Sequence, residues 1–289
     1  MHLGRAGISS RISGSFTQPS RCSPIVALAV EKESTVLTRQ SPLCPVQRSR
    51  LRLEFAQSPE DVLEAQRLRY RVFGEEMGAR LKSAHLGIDR DLYDPYCEHL
   101  LVRDRETHEV VGTYRILSPE NARRIGGYYC EDEFDLVRLA HLGPRLVELG
   151  RSCVHPDYRN GAIIALLWSG IAAYMRRHGY EYLIGCASIA MGDGGRMAAS
   201  LYQHLRRRFM SPVEYRVFPR CPLPLAALKT EWDASVPPLI KGYLRLGAWV
   251  CGDPAWDPDF NTADLLLLLP MHRLNERYAR HFLKDHHHA

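Results

Sequence analysis

Apolar and polar positions change rhythm along the chain, and those changes predict its elements. Arg52 to Ala56 alternates as a short strand. Ser58 reads as an N-cap, with Pro59 at the first helical position and Asp61 in the first turn. Val62, Ala65, Leu68, Arg69, Val72 and Phe73 then recur at helical spacing until Gly74 and Gly78. After a charged loop over 80–96, His99 to Asp104 and Val110 to Leu117 read as a hairpin, and Leu146 to Val154 as a further strand stopped by Pro156. Ala162 to His178 predicts a strong amphipathic helix capped by Gly179. Tyr182 to Ser188 reads as a strand and Gly194 to Phe209 as a helix. Beyond them come strands at YRVF and DLLLLLP, a helix over Pro238 to Leu246, and a last helix after Met271. The order β-α-β-β-β-α-β-α predicts an α/β (α+β) fold, a mixed central sheet flanked by helices.

Composition divides the 289 residues. Residues 1–50 are rich in Ser, Arg and Pro, with no acidic residue before Glu31, so they predict a disordered or targeting-like extension ahead of a domain over 51–283 and a tail over 284–289. The longest aliphatic run, Leu265 to Leu269, is too short to span a bilayer, so membrane contact is expected to be peripheral. A net charge of +5 is mild and argues against nucleic acid as a partner. Local basic runs such as Arg206 to Arg208 suit an acidic protein or anionic headgroups. The eight cysteines contain no CxxC pair, which fits reduced thiols in a cytoplasm, and no His–carboxylate spacing predicts a metal site.

VELGRSCVHPDYRNGA, followed by its helix, resembles the central strand-loop-helix of the GNAT acyltransferases. Of their V-x-P-x-x-R-x-x-G-x-G/A fingerprint, Val154, Pro156 and Arg159 match, and Gly161 comes one residue early. The resemblance implies a GNAT-like fold and an acyl-donor phosphopantetheine held by Val154, Arg159, Asn160 and Gly161. The shortened loop favours a donor on a carrier protein over one carrying a pyrophosphate.

RLRYRVFGEEMG, DRDLYD, GTYRIL and VELGRS resemble, in order, the motifs of the acyl-homoserine-lactone synthases. That resemblance places functional residues at Arg69 and Phe73, at Asp89, Asp91 and Asp94, at Arg115, and at Glu148 and Arg151. The tryptophan those synthases carry after R-x-x-x-F is absent here. ELGRSCV, IGCAS and PPLIKGYLRLGAWVCGDPAWDPDFNTADLLLLLP resemble the ornithine N-alpha-acyltransferases, also described as GNAT-type and haemolysin-like. This implies transfer of a 3-hydroxyacyl chain from acyl carrier protein, as co-substrate and with no other cofactor, to the α-amine of ornithine. A lactone-synthase-like enzyme and a non-catalytic lipid-binding protein are the alternatives, and lysine, glutamine and glycine remain open as acceptors.

Aminolysis of a thioester needs a neutral amine, a proton acceptor and donors for the oxyanion. Glu148, the acid of the central strand, is the candidate base, with Arg151 beside it. Strand alternation puts them on opposite faces unless a bulge intervenes, which Gly150 would permit. The other reading is a buried Glu148–Arg151 ion pair. Arg69 or Arg115 is expected to hold the amino-acid carboxylate. Asp89, Asp91 and Asp94 are expected to hold a second ammonium or fix the arginines.

Overall fold

The computed structural model describes residues 50–230 and 236–274. The extension, apart from Arg50, and the tail over 284–289 lie outside the described residues. So does the helix expected after Met271, beyond one 3-10 turn at Met271–Arg273.

Strand β1 (Leu51–Phe55) leads into α1 (Pro59–Arg69), where Ser58 and Asp61 form a reciprocal capping box. The apolar spacing predicted one helix through Phe73. Instead the backbone widens into a π-helix at Tyr70–Glu76, with the amide of Met77 bonding back to Val72. The extra residue in that turn breaks the 3.6 period between Arg69 and the residues after it, as π-turns at functional sites commonly do.

β2 (Glu98–Asp104) and β3 (Val110–Leu117) form the expected hairpin. A short helix α2 (Pro119–Ile125) follows, and β4 (Phe134–Asp135) leads to the central β5 (Leu146–Val154). Then come α3 (Ala162–His178), β6 (Tyr182–Ala190) and α4 (Arg196–Leu205). YRVF, expected as a strand, is mostly irregular: Tyr215 ends a 3-10 turn, and only Phe218 enters β7 (Phe218–Pro219), whose ladder partner is the two-residue β4. Helix α5 (Pro238–Leu246) precedes β8 (Trp249–Val250), β9 (Ala255–Asp257) and β10 (Thr262–Pro270).

The main sheet runs β1-β2-β3-β5-β6-β10-β8, with β9 on β10. Its neighbours are antiparallel except β5 and β6. Helix α3 buries Ile163, Leu167 and Met175 against Leu100, Val147 and Leu183. Helices α4 and α5 cover Ala187, Leu265 and Leu267 on the same face, since these residues share parity with Leu183 along β6 and β10. The opposite face is covered by α1 and by the segment from Cys130 to Leu142. No helix among the described residues is long and apolar enough to cross a membrane.

One topological fact positions the site. The parallel pairing of β5 with β6 ends at Glu148↔Ile184, although both strands continue. Beyond it β5 pairs only with β3, so its edge toward β6 opens into a cleft. The backbones are tightest just at the fork, where a Cβ on Gly185 would collide with the carbonyl oxygen of Leu149. Gly185→Ala should therefore cost about 1–3 kcal/mol through overpacking. Urea unfolding checks this, and an unchanged midpoint would contradict it.

Candidate active site

Three arginines and three aspartates meet beside the fork. Arg69, at the end of α1 and with no exposed surface, sends Nε to Asp89 (2.8 Å) and Nη1 to Asp94 (2.8 Å). Arg115 on β3 reaches Asp91 through Nη1 at 2.7 Å and Asp94 at 3.2 Å. Arg151 on β5 reaches Asp89 through Nε (3.1 Å) and Asp91 through Nη2 (3.2 Å). The acidic loop is further tied by its own turns, because Asp91 Oδ1 accepts the amides of Tyr93 and Asp94. Burial pushes Asp91 and Asp94 up, but the nearby guanidinium charges outweigh it and hold both below the usual carboxylate range.

Of the two roles expected for Asp89, Asp91 and Asp94, the geometry fits the second: arginines neutralise them, so they fix those arginines. The expected role of Arg69 and Arg115 is corrected. Arg69 and Arg115 are sealed beneath the surface and spent on aspartates, so neither is placed to hold a substrate carboxylate.

The expected bulge is present, but it falls at Arg151 and not at Gly150. Thr113 pairs Cys153 and Arg115 pairs Gly150, leaving two residues of β5 opposite Tyr114. Arg151 itself takes a φ of 49°, a costly conformation for a side chain of that size. The bulge turns Arg151 to the side of Glu148, with its guanidinium 4.6 Å from the Tyr129 ring and 4.8 Å from that of Phe260.

Yet Glu148 and Arg151 do not pair. Glu148 accepts the amides of Tyr129 (2.7 Å) and Cys130 (2.8 Å), one on each oxygen. Burial raises its pKa against the pull of those hydrogen bonds. A carboxylate has four acceptor positions, so one stays available after both amides and the Cys130 thiol are bound.

A cavity of about 340 Å³ occupies the cleft. Glu148, Arg151, Phe73, Val154 and Arg159 line it; Arg69, Asp89, Asp91, Asp94 and Arg115 stand behind its wall. Arg159 lines the rim while bound to Glu76 through two contacts of 2.6 Å. Asn160 and Gly161 lie at the start of α3, outside the lining, where Asn160 Oδ1 accepts the amide of Ala162. Cys153 also lines the cavity, but burial pushes its thiol up to about 12, which leaves it a packed thiol and no nucleophile. The far end is apolar, with Leu239, Tyr243, Leu267 and Leu269.

The sequence reading missed the other wall. Glu133, Asp257 and Asp264 line the cavity too, and ligand atoms of Glu133, Cys186 and Asp264 lie within 4.8 Å of one another. Asp264 carried a signal, as the charged residue of an otherwise apolar strand. Glu133 carried none.

Comparison with known proteins agrees with this architecture. A family profile described as an acetyltransferase (GNAT) domain matches residues 68–169. An L-ornithine N(alpha)-acyltransferase of Brucella abortus (strain 2308) is 38% identical over 248 residues, covering 80% of this chain and 88% of that protein. One from Rhodobacter capsulatus is 36% identical over 245 residues, covering 80% and 94%. The chain belongs to the L-ornithine N(alpha)-acyltransferase family. Among solved structures, the N-acyl amino acid synthase FeeM from uncultured soil microbes aligns with a TM-score of 0.45 at 13% identity, covering 77% of this chain and 92% of that one. The family's GNAT domain thus contains Arg69, Phe73, the aspartates, Arg115, Glu148 and Arg151.

The arginine–aspartate lattice makes a stability prediction. Arg69→Gln removes one of the two cations at each of two buried carboxylates, Asp89 and Asp94, and should cost about 3–5 kcal/mol. Because Asp91 and Asp94 have lowered pKa values, their contribution is present above the ordinary aspartate value near ~4 and is lost as pH falls through their folded values. Urea unfolding of the parent chain should therefore weaken below about pH 4. An Arg69→Gln protein as stable as the parent would contradict this account.

Proposed function

We propose that this chain transfers an acyl group to the α-amine of L-ornithine, giving lyso-ornithine lipid. The observation that carries the reading is the family relationship over four-fifths of the chain, joined to a cleft that opens where the acid of the central strand, Glu148, stands. In this reading the thioester enters along the free edge of β5, whose amides past Glu148 have no partner on the β6 side and can donate to the developing oxyanion. The apolar end, from Leu149 to Leu269, takes the acyl chain. Arg151, whose Nη1 neither aspartate uses, faces the amino-acid carboxylate. Glu148, raised by burial, takes the amine proton directly or through water.

The donor in this reading is an acyl carrier protein. The support is local: Arg159 is already clamped to Glu76, and Asn160 occupies one of the amides at the start of α3. Few donors are left there for a pyrophosphate. Peripheral contact with an anionic membrane, by the Arg206–Arg208 run, belongs to the same proposal.

Lipid mass spectrometry of a host without ornithine lipids tests the function. Expression should yield lyso-ornithine lipid, whereas an acyl-homoserine lactone or no new lipid would sink it. Glu148→Gln should lower kcat by roughly 10²–10⁴-fold, with partial recovery at high pH as more amine is neutral. Its NH₂ would face one of two backbone donors, so it should also cost about 1–3 kcal/mol of stability. Near-parent turnover would remove Glu148 from the mechanism. With purified protein, kcat/KM should be clearly higher for the carrier-protein thioester than for the coenzyme A thioester, and comparable values would overturn that donor.

A further inference from the structure

Half-buried Glu133 and buried Asp264 are two acids that the mechanism above leaves unused. Asp264 is 3% exposed, and its Oδ1 meets no hydrogen-bond partner. Glu133 Oε2 is likewise buried and unpartnered. Both line the cavity. Among the described residues, no lysine or arginine forms an ion pair with either. The neighbouring acid Asp257 adds negative charge, and its Oδ1 is taken by the amides of Asp259 and Phe260. The lattice on the other wall matches three arginines to three aspartates. This wall has acids and no cation.

Such a pair is costly for a core to keep, and the leucines around Asp264 show what β10 otherwise prefers. What would satisfy it is a compact positive group with several hydrogens to donate, which describes an alkylammonium. Its placement fits as well. Glu148 pairs with Ile184 on β6, and Ile184, Cys186 and Ser188 alternate onto one face, with Ser188 opposite Asp264 on β10. The acid pair thus lies on the face of Glu148, further along the opened cleft.

We propose that Glu133 and Asp264 together receive the side-chain ammonium of the acceptor amino acid and give the site its preference for a cationic acceptor. This rests on the ornithine reading above, whose substrate ends in that group. Burial, then the charge of Asp264, pushes the Glu133 carboxyl up to about 10, and burial also raises Asp264. The groups facing the pair are Asp257, Cys186, Ser188 and Thr262, none of them cationic. Without a cation the pair can relieve its repulsion only by keeping a proton, which an arriving ammonium replaces.

The test compares L-ornithine with L-norvaline, the same carbon chain without the terminal amine, by calorimetry and by turnover on the full chain. The parent should bind ornithine about 30-fold or more tighter than norvaline. Asp264→Asn and Glu133→Gln should each collapse that ratio toward one by weakening ornithine, with norvaline binding little changed. In each variant the amide can donate to the remaining carboxyl in place of the shared proton, so its melting temperature should stay level or rise. Equal binding of the two amino acids by the parent overturns the inference, whatever the variants do. So does an unchanged ratio in folded variants, or a preference that disappears with EDTA and returns with Zn²⁺. Ornithine preferred in binding but never acylated would sink the acyltransferase reading and leave this inference standing. Ornithine and norvaline acylated equally well would do the reverse.

Discussion

Six charges, four of them buried and two partly so, set the frame of this molecule. Taking a carboxylate or guanidinium out of water costs several kcal/mol, and the attraction between them offsets that cost only if the partners meet in good geometry. Here the partners come from four places: the end of α1, β3, the bulge of β5, and the loop from Asp89 to Asp94. None of the four can shift alone without leaving a charge unpaired. The lattice therefore fixes the depth of the loop and the position of α1 against the central strand. It also holds Arg151 at a positive φ that a long side chain would not adopt unaided.

That constraint has consequences on the cavity side. The bulge that brings Arg151 to Asp89 also lays its guanidinium on the Tyr129 ring. The backbone at Tyr129 and Cys130 in turn supplies the two amides that hold Glu148. The same segment continues to Glu133, whose carboxyl approaches Asp264. One chain of contacts thus runs from a neutralised lattice, through the central acid, to an acid pair with no counter-ion. The cleft itself comes from a plainer cause, the end of β5–β6 pairing at the fork. Electrostatics orients the walls; sheet topology makes the space between them.

Much of this was legible in the chain. The helices at Ala162–His178 and Pro238–Leu246 have the predicted limits, because their apolar stripes are long and their ends carry cap signals. The Ser58–Asp61 box was legible for the same reason. Helix α2 was not, because PENARRI has no apolar period, although Ser118, Pro119 and Gly126 marked its ends. The motif order drew Arg69, Asp89, Asp91, Asp94, Arg115 and Arg151 together, but it could not say which atoms were already spent. Charge complementarity among the six decides that: it reversed the expected role of Arg69 and Arg115 and chose between the two expected for the aspartates. Glu133 was invisible, because its meaning depends on Asp264, far away in sequence and adjacent only after β6 and β10 pair.

A crystal structure of the full chain with L-ornithine and a non-reactive acyl-pantetheine analogue tests the central claim most directly. The account predicts the amino acid in the 340 Å³ cleft, its α-amine toward Glu148 and its terminal ammonium between Glu133 and Asp264, with the three arginines still on their aspartates. Ornithine bound on the Asp89–Asp94 loop, with an arginine displaced to admit it, would contradict it.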